Sequence, residues 1–132
     1  MASLINNMKK YSIEEVFNLL GQDALNISEV GFRRHRESIE VDGYKVYTKS
    51  LRYATFYQKG CKCARCGIEG TYFQLDSGDQ PERRHFNLYA ADGTLITKDH
   101  IVPKKHGGKD TVDNMQTMCV ICNRAKGCHM PQ

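Results

Sequence analysis

Two cysteine pairs, Cys63-Ala-Arg-Cys66 and Cys119-Val-Ile-Cys122, bracket an Asp99-His100 dipeptide, with Asn114 before the second pair and Asn123 directly after it. Four thiolates in two C-x-x-C turns can close a tetrahedral metal site, for which zinc is the expected ion. Such a site pulls the two ends of this stretch together. The metal then builds the scaffold, and Asp99, His100, Asn114 and Asn123 are left to do the chemistry. The rival reading of the cysteines is a set of unliganded or redox-active thiols, but nothing around them looks like a redox βαβ unit. Cys61 offers a competing C-x-C-x-x-C register, although the spacing favours Cys63. Cys128 and His129 follow the last predicted helix and read as an untied tail.

The elements that must hold these residues can be read from capping, periodicity and turn signals. Ser12-Ile-Glu-Glu15 has capping-box spacing, and Ile13, Val16, Phe17 and Leu20 recur at helical intervals, which predicts a helix over 12–20. Asp42-Gly43 between two alternating runs predicts a hairpin, with Glu40 opposite Lys45 and Ile39 opposite Val46. A further helix is expected from Ser50 to Gly60, immediately before the first cysteine pair. Residues 67–84 carry Gly, Asp, Ser and Pro81 with little periodicity and read as an irregular insertion. A second hairpin turns at Asp92-Gly93 and delivers Asp99 and His100 to the end of its second strand. With a two-residue turn, His85 would fall opposite His100 and tune it. A short strand over 114–118 and a last helix beginning around 119–122 complete the pattern. Adjacent side chains on a regular strand point to opposite faces, so Asp99 and His100 can converge on one group only at a strand end, at a bulge, or with that group passing between them; a strand end is expected.

The chain has 132 residues, 40% of them hydrophobic and 26% charged, which fits one globular domain with a small N-terminal module. No apolar run approaches the roughly 18 residues of a membrane span, and no apolar segment marks the start as a signal peptide. These features predict a cytoplasmic protein, where paired cysteines favour metal over disulfides. The net charge of +4 permits a polyanionic partner without requiring one.

Taken together, Asp99-His100-Ile-Val-Pro103, Gly107-Gly108, Asn114, Cys119-Val-Ile-Cys122-Asn123 and Lys126-Gly127 closely resemble the HNH endonuclease family. The likeness runs from Cys63 to Gly127, about half of the chain, and the segment from Ser50 to Gly60 resembles small phage and bacterial members. The resemblance implies an α+β fold with a ββα-metal finger stabilised by a zinc site of four cysteines. It would place the nuclease domain over 49–132, with the helix and hairpin of 1–48 as an extension that contacts DNA. It also implies that His100 is the general base, that Asp99 and Asn123 hold one catalytic divalent cation, and that Asn114 braces the loop bearing the histidine. Many members have His where this chain has Asn123, and an oxygen donor there favours Mg²⁺ or Mn²⁺. The chemistry is coherent in its own terms. Phosphodiester hydrolysis needs an activated water and positive charge beside the phosphate oxygens, and a neutral imidazole with a hard cation supplies both. A lone Asp-His pair would be a surface histidine, and Asp-Asn before a strand would be a turn; the surrounding motif sets these two apart.

Arg33, Arg34, Arg52, Lys98, Lys104, Lys105, Arg124 and Lys126 are the candidates for contacts with DNA phosphates. His106, in the glycine-rich loop, is expected to face solvent. Two alternatives stay open at this level: a non-catalytic zinc module that binds DNA or a protein partner, and a nuclease directed at RNA.

Overall fold

The computed structural model describes residues 9–30, 37–78 and 80–128. Its centre is an antiparallel five-stranded sheet in the order β1 (Lys10–Tyr11), β4 (Gly70–Ser77), β5 (Arg84–Ala90), β6 (Leu95–His100) and β7 (Met115–Cys119). A separate hairpin pairs β2 (Ser38–Val41) with β3 (Tyr44–Tyr47). The helices are α1 (Ile13–Leu20), α2 (Gln22–Leu25), α3 (Leu51–Lys59) and α4 (Val120–Lys126), and 3-10 turns cover Lys104–His106 and Val112–Asn114. The chain is therefore mixed α+β, as expected.

The expected caps are in place. Ser12 Oγ accepts from the Glu15 N–H at 3.0 Å and Ser50 Oγ from the Arg52 N–H at 3.1 Å, each satisfying a donor that the helix leaves open. The first hairpin has the anticipated register, Ile39 with Val46 and Glu40 with Lys45. Its turn residues Asp42 and Gly43 both have positive φ, the geometry that suits the strand twist.

The core is aromatic. Phe73 and Phe86 are fully buried, Phe56 is nearly so, and their rings meet at centroid distances of 6.1 to 6.2 Å. Phe17 of α1 reaches Phe73 at 6.0 Å, and Tyr53 of α3 accepts a hydrogen bond from the Phe86 N–H at 2.8 Å. Both helices are thus held to the sheet by side chains that bury a large apolar area while satisfying their polar atoms.

Two expectations fail here. The stretch read as an irregular insertion contains β4, an eight-residue strand. Phe73 and Leu75 point into the core with Gln74 and Asp76 on the other face, an alternation only four residues long, and a register shift lies before it between Gly70 and Tyr72. Its acidic residue is satisfied within the sheet: Asp76 accepts from Gln74 of its own strand at 2.8 Å and from Asn87 at 2.7 Å and Tyr89 at 2.5 Å on β5. The second hairpin is the other correction. Leu88 pairs with Ile96 and Tyr89 with Leu95, and Ala90 donates to the Thr94 carbonyl at 2.8 Å, so the loop holds three residues. A one-residue change in loop length shifts the whole register, and the β5–β6 ladder, which runs over Leu88–Ile96 and Tyr89–Leu95, ends short of His85, so His85 is not set opposite His100; on its other edge it pairs with Asp76 of β4. Among the described residues no helix is long and apolar enough to cross a membrane, which says nothing of crossing by strands.

Candidate functional site

The cysteine cluster is assembled from both ends of the site region. Cys63 and Cys66 follow α3, whereas Cys119 ends β7 and caps α4, one turn before Cys122. Ala64 donates to the Thr117 carbonyl at 2.8 Å, and Thr117 Oγ1 donates to the Gly60 carbonyl at 2.5 Å, so the first knuckle is stitched to β7. The four Sγ atoms lie within 4.8 Å of one another. Cys66 and Cys119 are 3.8 Å apart, which is about the edge of a tetrahedron with metal–sulfur bonds of about 2.3 Å. Among the described residues this is the one such group of three or more potential His, Cys, Asp or Glu ligands.

The acidity of these thiols is what crowding predicts. Burial pushes the Cys63 thiol up, but backbone hydrogen bonds from Cys66, Cys119 and Arg65 outweigh it and bring the value down to about 6. Cys122 is pushed up to about 12 by burial, then by hydrogen bonds with the thiols of Cys119, Cys66 and Cys63, and last by repulsion from the charge on Cys63. A bound divalent cation would relieve that repulsion. Cys61 stands outside the quartet, with Sγ 3.8 Å from the Phe56 carbonyl and its thiol raised to about 11, chiefly by burial. Cys128 is exposed.

Asp99 and His100 are the last two residues of β6, paired with Gln116 and Met115 of β7. Their side chains leave the strand on opposite sides. Asp99 is buried, and its Oδ2 receives Lys126 Nζ at 2.9 Å and Gln116 Nε2 at 3.0 Å. Asn123 of α4 donates its amide to Thr97 Oγ1 at 3.0 Å, and Thr97 lies on the Asp99 side of β6. The last helix therefore brings Asn123 and Lys126 to the carboxylate side. Lys126 and Gln116 both meet Asp99 at Oδ2, and the amide nitrogen of Asn123 is the atom that Thr97 engages. Asp99 Oδ1 and Asn123 Oδ1 are the oxygens a hard cation would use, and two protein ligands suit an ion that keeps several waters and a phosphate oxygen. His100, on the other side, has Nε2 2.7 Å from Asp110 Oδ1.

Asn114 ties the intervening loop closed. Its Oδ1 accepts from the Val102 N–H at 2.9 Å, and its Nδ2 donates to the carbonyls of Val102 at 3.0 Å and Lys109 at 2.9 Å. Its own carbonyl accepts from Ile101 at 2.7 Å. Gly108 is required by this closure, since a Cβ there would lie 1.7 Å from the Val102 carbonyl oxygen.

The basic candidates separate into groups. Arg52 and Lys104 are both near enough to act on Lys98, where burial and then the charge of Arg52 hold the ammonium below its usual range. Arg52 also donates to Asn87 Oδ1 at 2.8 Å. Lys105 and Arg124 are exposed, as is His106. Lys126 turns inward to Asp99 and also donates to the His100 carbonyl at 2.7 Å. Arg33, Arg34 and His129 lie outside the described residues. Three partners escaped the sequence reading: Gln116, Thr97 and Asp110. Gln116 follows once β6 and β7 are paired in register, and Thr97 follows from strand alternation; nothing local signals Asp110.

Comparison with known proteins gives one match. Residues 83–128, about a third of the chain, match the model of a family described as HNH endonuclease. No curated protein and no solved structure matches.

Proposed function

From the match of residues 83–128 to the HNH endonuclease family model we propose that the chain is a member of that family and a metal-dependent endonuclease hydrolysing phosphodiester bonds in DNA. The observation that carries this reading is the end of β6, where Asp99 pairs with Lys126 of α4 on the side where Asn123 bonds Thr97, while His100 leaves by the other side toward Asp110 with basic neighbours. In the proposed mechanism His100 accepts the proton of the water that attacks phosphorus. Asp99 and Asn123 supply oxygen ligands to one Mg²⁺ or Mn²⁺, which, when bound, stabilises charge on the phosphate oxygens. Asn114 holds the loop that follows His100, and Lys98, Arg52 and Lys104 draw the DNA backbone to it. Cys63, Cys66, Cys119 and Cys122 hold a structural Zn²⁺. Strands β6 and β7 with α4 form the ββα-metal finger within a nuclease domain over 49–132, and 1–48 serves as a DNA-contacting extension.

Plasmid cleavage with Mg²⁺, with EDTA, and with His100→Ala is the direct test. Cutting that needs the metal and vanishes in the variant is expected; an inactive wild type with folded, zinc-loaded protein would reject the enzyme. A second reading, a non-catalytic zinc module for DNA or a protein partner, draws on the Asp99–Lys126 ion pair, which already neutralises the carboxylate. The same assay separates the two, and offering single-stranded RNA beside duplex DNA settles which nucleic acid is cut.

A further inference from the structure

We propose that Asp110 is a positioning residue that fixes His100 as the Nε2–H tautomer and so leaves Nδ1 as the atom that takes the proton from water. The proposal rests on the reading of His100 as general base. It begins with the 2.7 Å contact between His100 Nε2 and Asp110 Oδ1, a length usual for a hydrogen bond assisted by charge. The other carboxylate oxygen, Oδ2, meets Lys104 Nζ at 3.0 Å. Hydrogen bonds from His100 and then Lys104 hold the Asp110 carboxyl below the usual carboxylate range. An ionised carboxylate can only accept, so the ring nitrogen facing it must carry the hydrogen. In a neutral imidazole the opposite nitrogen, Nδ1, then keeps its lone pair.

The backbone explains why Asp110 is there. Asn114 Nδ2 holds the Lys109 carbonyl at 2.9 Å, and Gly108 lets the loop fold back against Val102. These two contacts set the residue directly before Asp110, so the Asn114 brace reaches His100 through Asp110. The Asp110 side chain is half exposed, and an exposed ion pair with Lys104 contributes little to stability. Orientation of the imidazole is the larger consequence of the arrangement.

The test uses the full chain with its zinc, and long-range proton–nitrogen correlation spectra of the histidine rings recorded with the imidazole neutral. Wild type should show His100 protonated on Nε2. Asp110→Ala should give a mixture of tautomers, and Asp110→Asn, whose amide can donate to Nε2, should raise the Nδ1–H form. Cleavage turnover should fall about 10–100-fold in Asp110→Ala, as for other residues that orient a functional histidine, with DNA affinity unchanged and partial recovery in Asp110→Glu. Zinc content and circular dichroism confirm that each variant is folded. An unchanged tautomer in Asp110→Ala, or full cleavage by that variant where His100→Ala is dead, would overturn this proposal alone. Full cleavage by both variants would overturn the general-base reading and this proposal with it.

Discussion

The cysteine quartet and the residues Asp99 and Asn123 draw on the same strands and the same last helix, yet they are prepared for cations in opposite ways. The four sulfurs already stand at tetrahedral spacing, on two knuckles that backbone hydrogen bonds hold in place. Asp99 and Asn123 instead spend part of their hydrogen-bonding capacity on Lys126, Gln116 and Thr97. Soft thiolates have few good partners inside a protein, so they gather for a metal. Oxygen ligands have many, and a hard cation that arrives with waters and a phosphate needs only a few of them. The contrast makes the first site a candidate for folding and the second a candidate for function.

The largest effect should come from the quartet. Purified protein should carry about one zinc per chain, and stripping it or making Cys63→Ser should unfold the region, because structural zinc contributes about 10–16 kcal/mol of apparent binding energy in small fingers. Folded, active protein without metal by elemental analysis would erase the distinction between the two sites. Next, His100→Ala should lower cleavage by about 10²–10⁴-fold with zinc content and DNA binding intact, and near wild-type turnover would remove His100 from the chemistry.

Asp99→Ala should act on both counts without releasing zinc. It removes a proposed cation ligand and takes the carboxylate away from the largely buried Lys126 ammonium, which keeps its bond to the His100 carbonyl, at a cost of up to about 3–5 kcal/mol. Thermal melts and Mg²⁺ titrations of cleavage separate the two losses. Asn123→Ala should show the weaker Mg²⁺ activation without that loss of stability. In Asn123→His cleavage should survive, with its preference moved toward Mn²⁺ or Ni²⁺; an Asn123→Ala protein that responds normally to limiting Mg²⁺ would discard the ligand assignment. Asn114→Ala gives up three side-chain hydrogen bonds to the loop and should cost about 1–3 kcal/mol, together with activity, while zinc stays bound. The smallest effect is expected for Cys61→Ser, which should leave zinc content unchanged because Cys61 stands outside the quartet.

Sequence alone determined the features set by short-range chemistry. Serine caps start α1 and α3, Asp42-Gly43 turns the first hairpin in its expected register, and C-x-x-C spacing singles out Cys63, Cys66, Cys119 and Cys122 over Cys61 and Cys128. Each of these depends on residues within a few positions, where propensity and backbone geometry decide. Tertiary structure decided the rest. Strand β4 is announced only by the short alternation from Phe73 to Asp76; its core face packs against distant residues and Asp76 finds donors on β5 as well as on its own strand. His85 was misplaced because one extra loop residue moves the register and the β5–β6 ladder ends before it reaches His85. The partners of the site residues, Lys126 on Asp99, Thr97 on Asn123 and Asp110 on His100, join positions ten to twenty-seven residues apart. Such contacts form only when strand pairing, helix docking and loop closure have set distances that no local preference encodes.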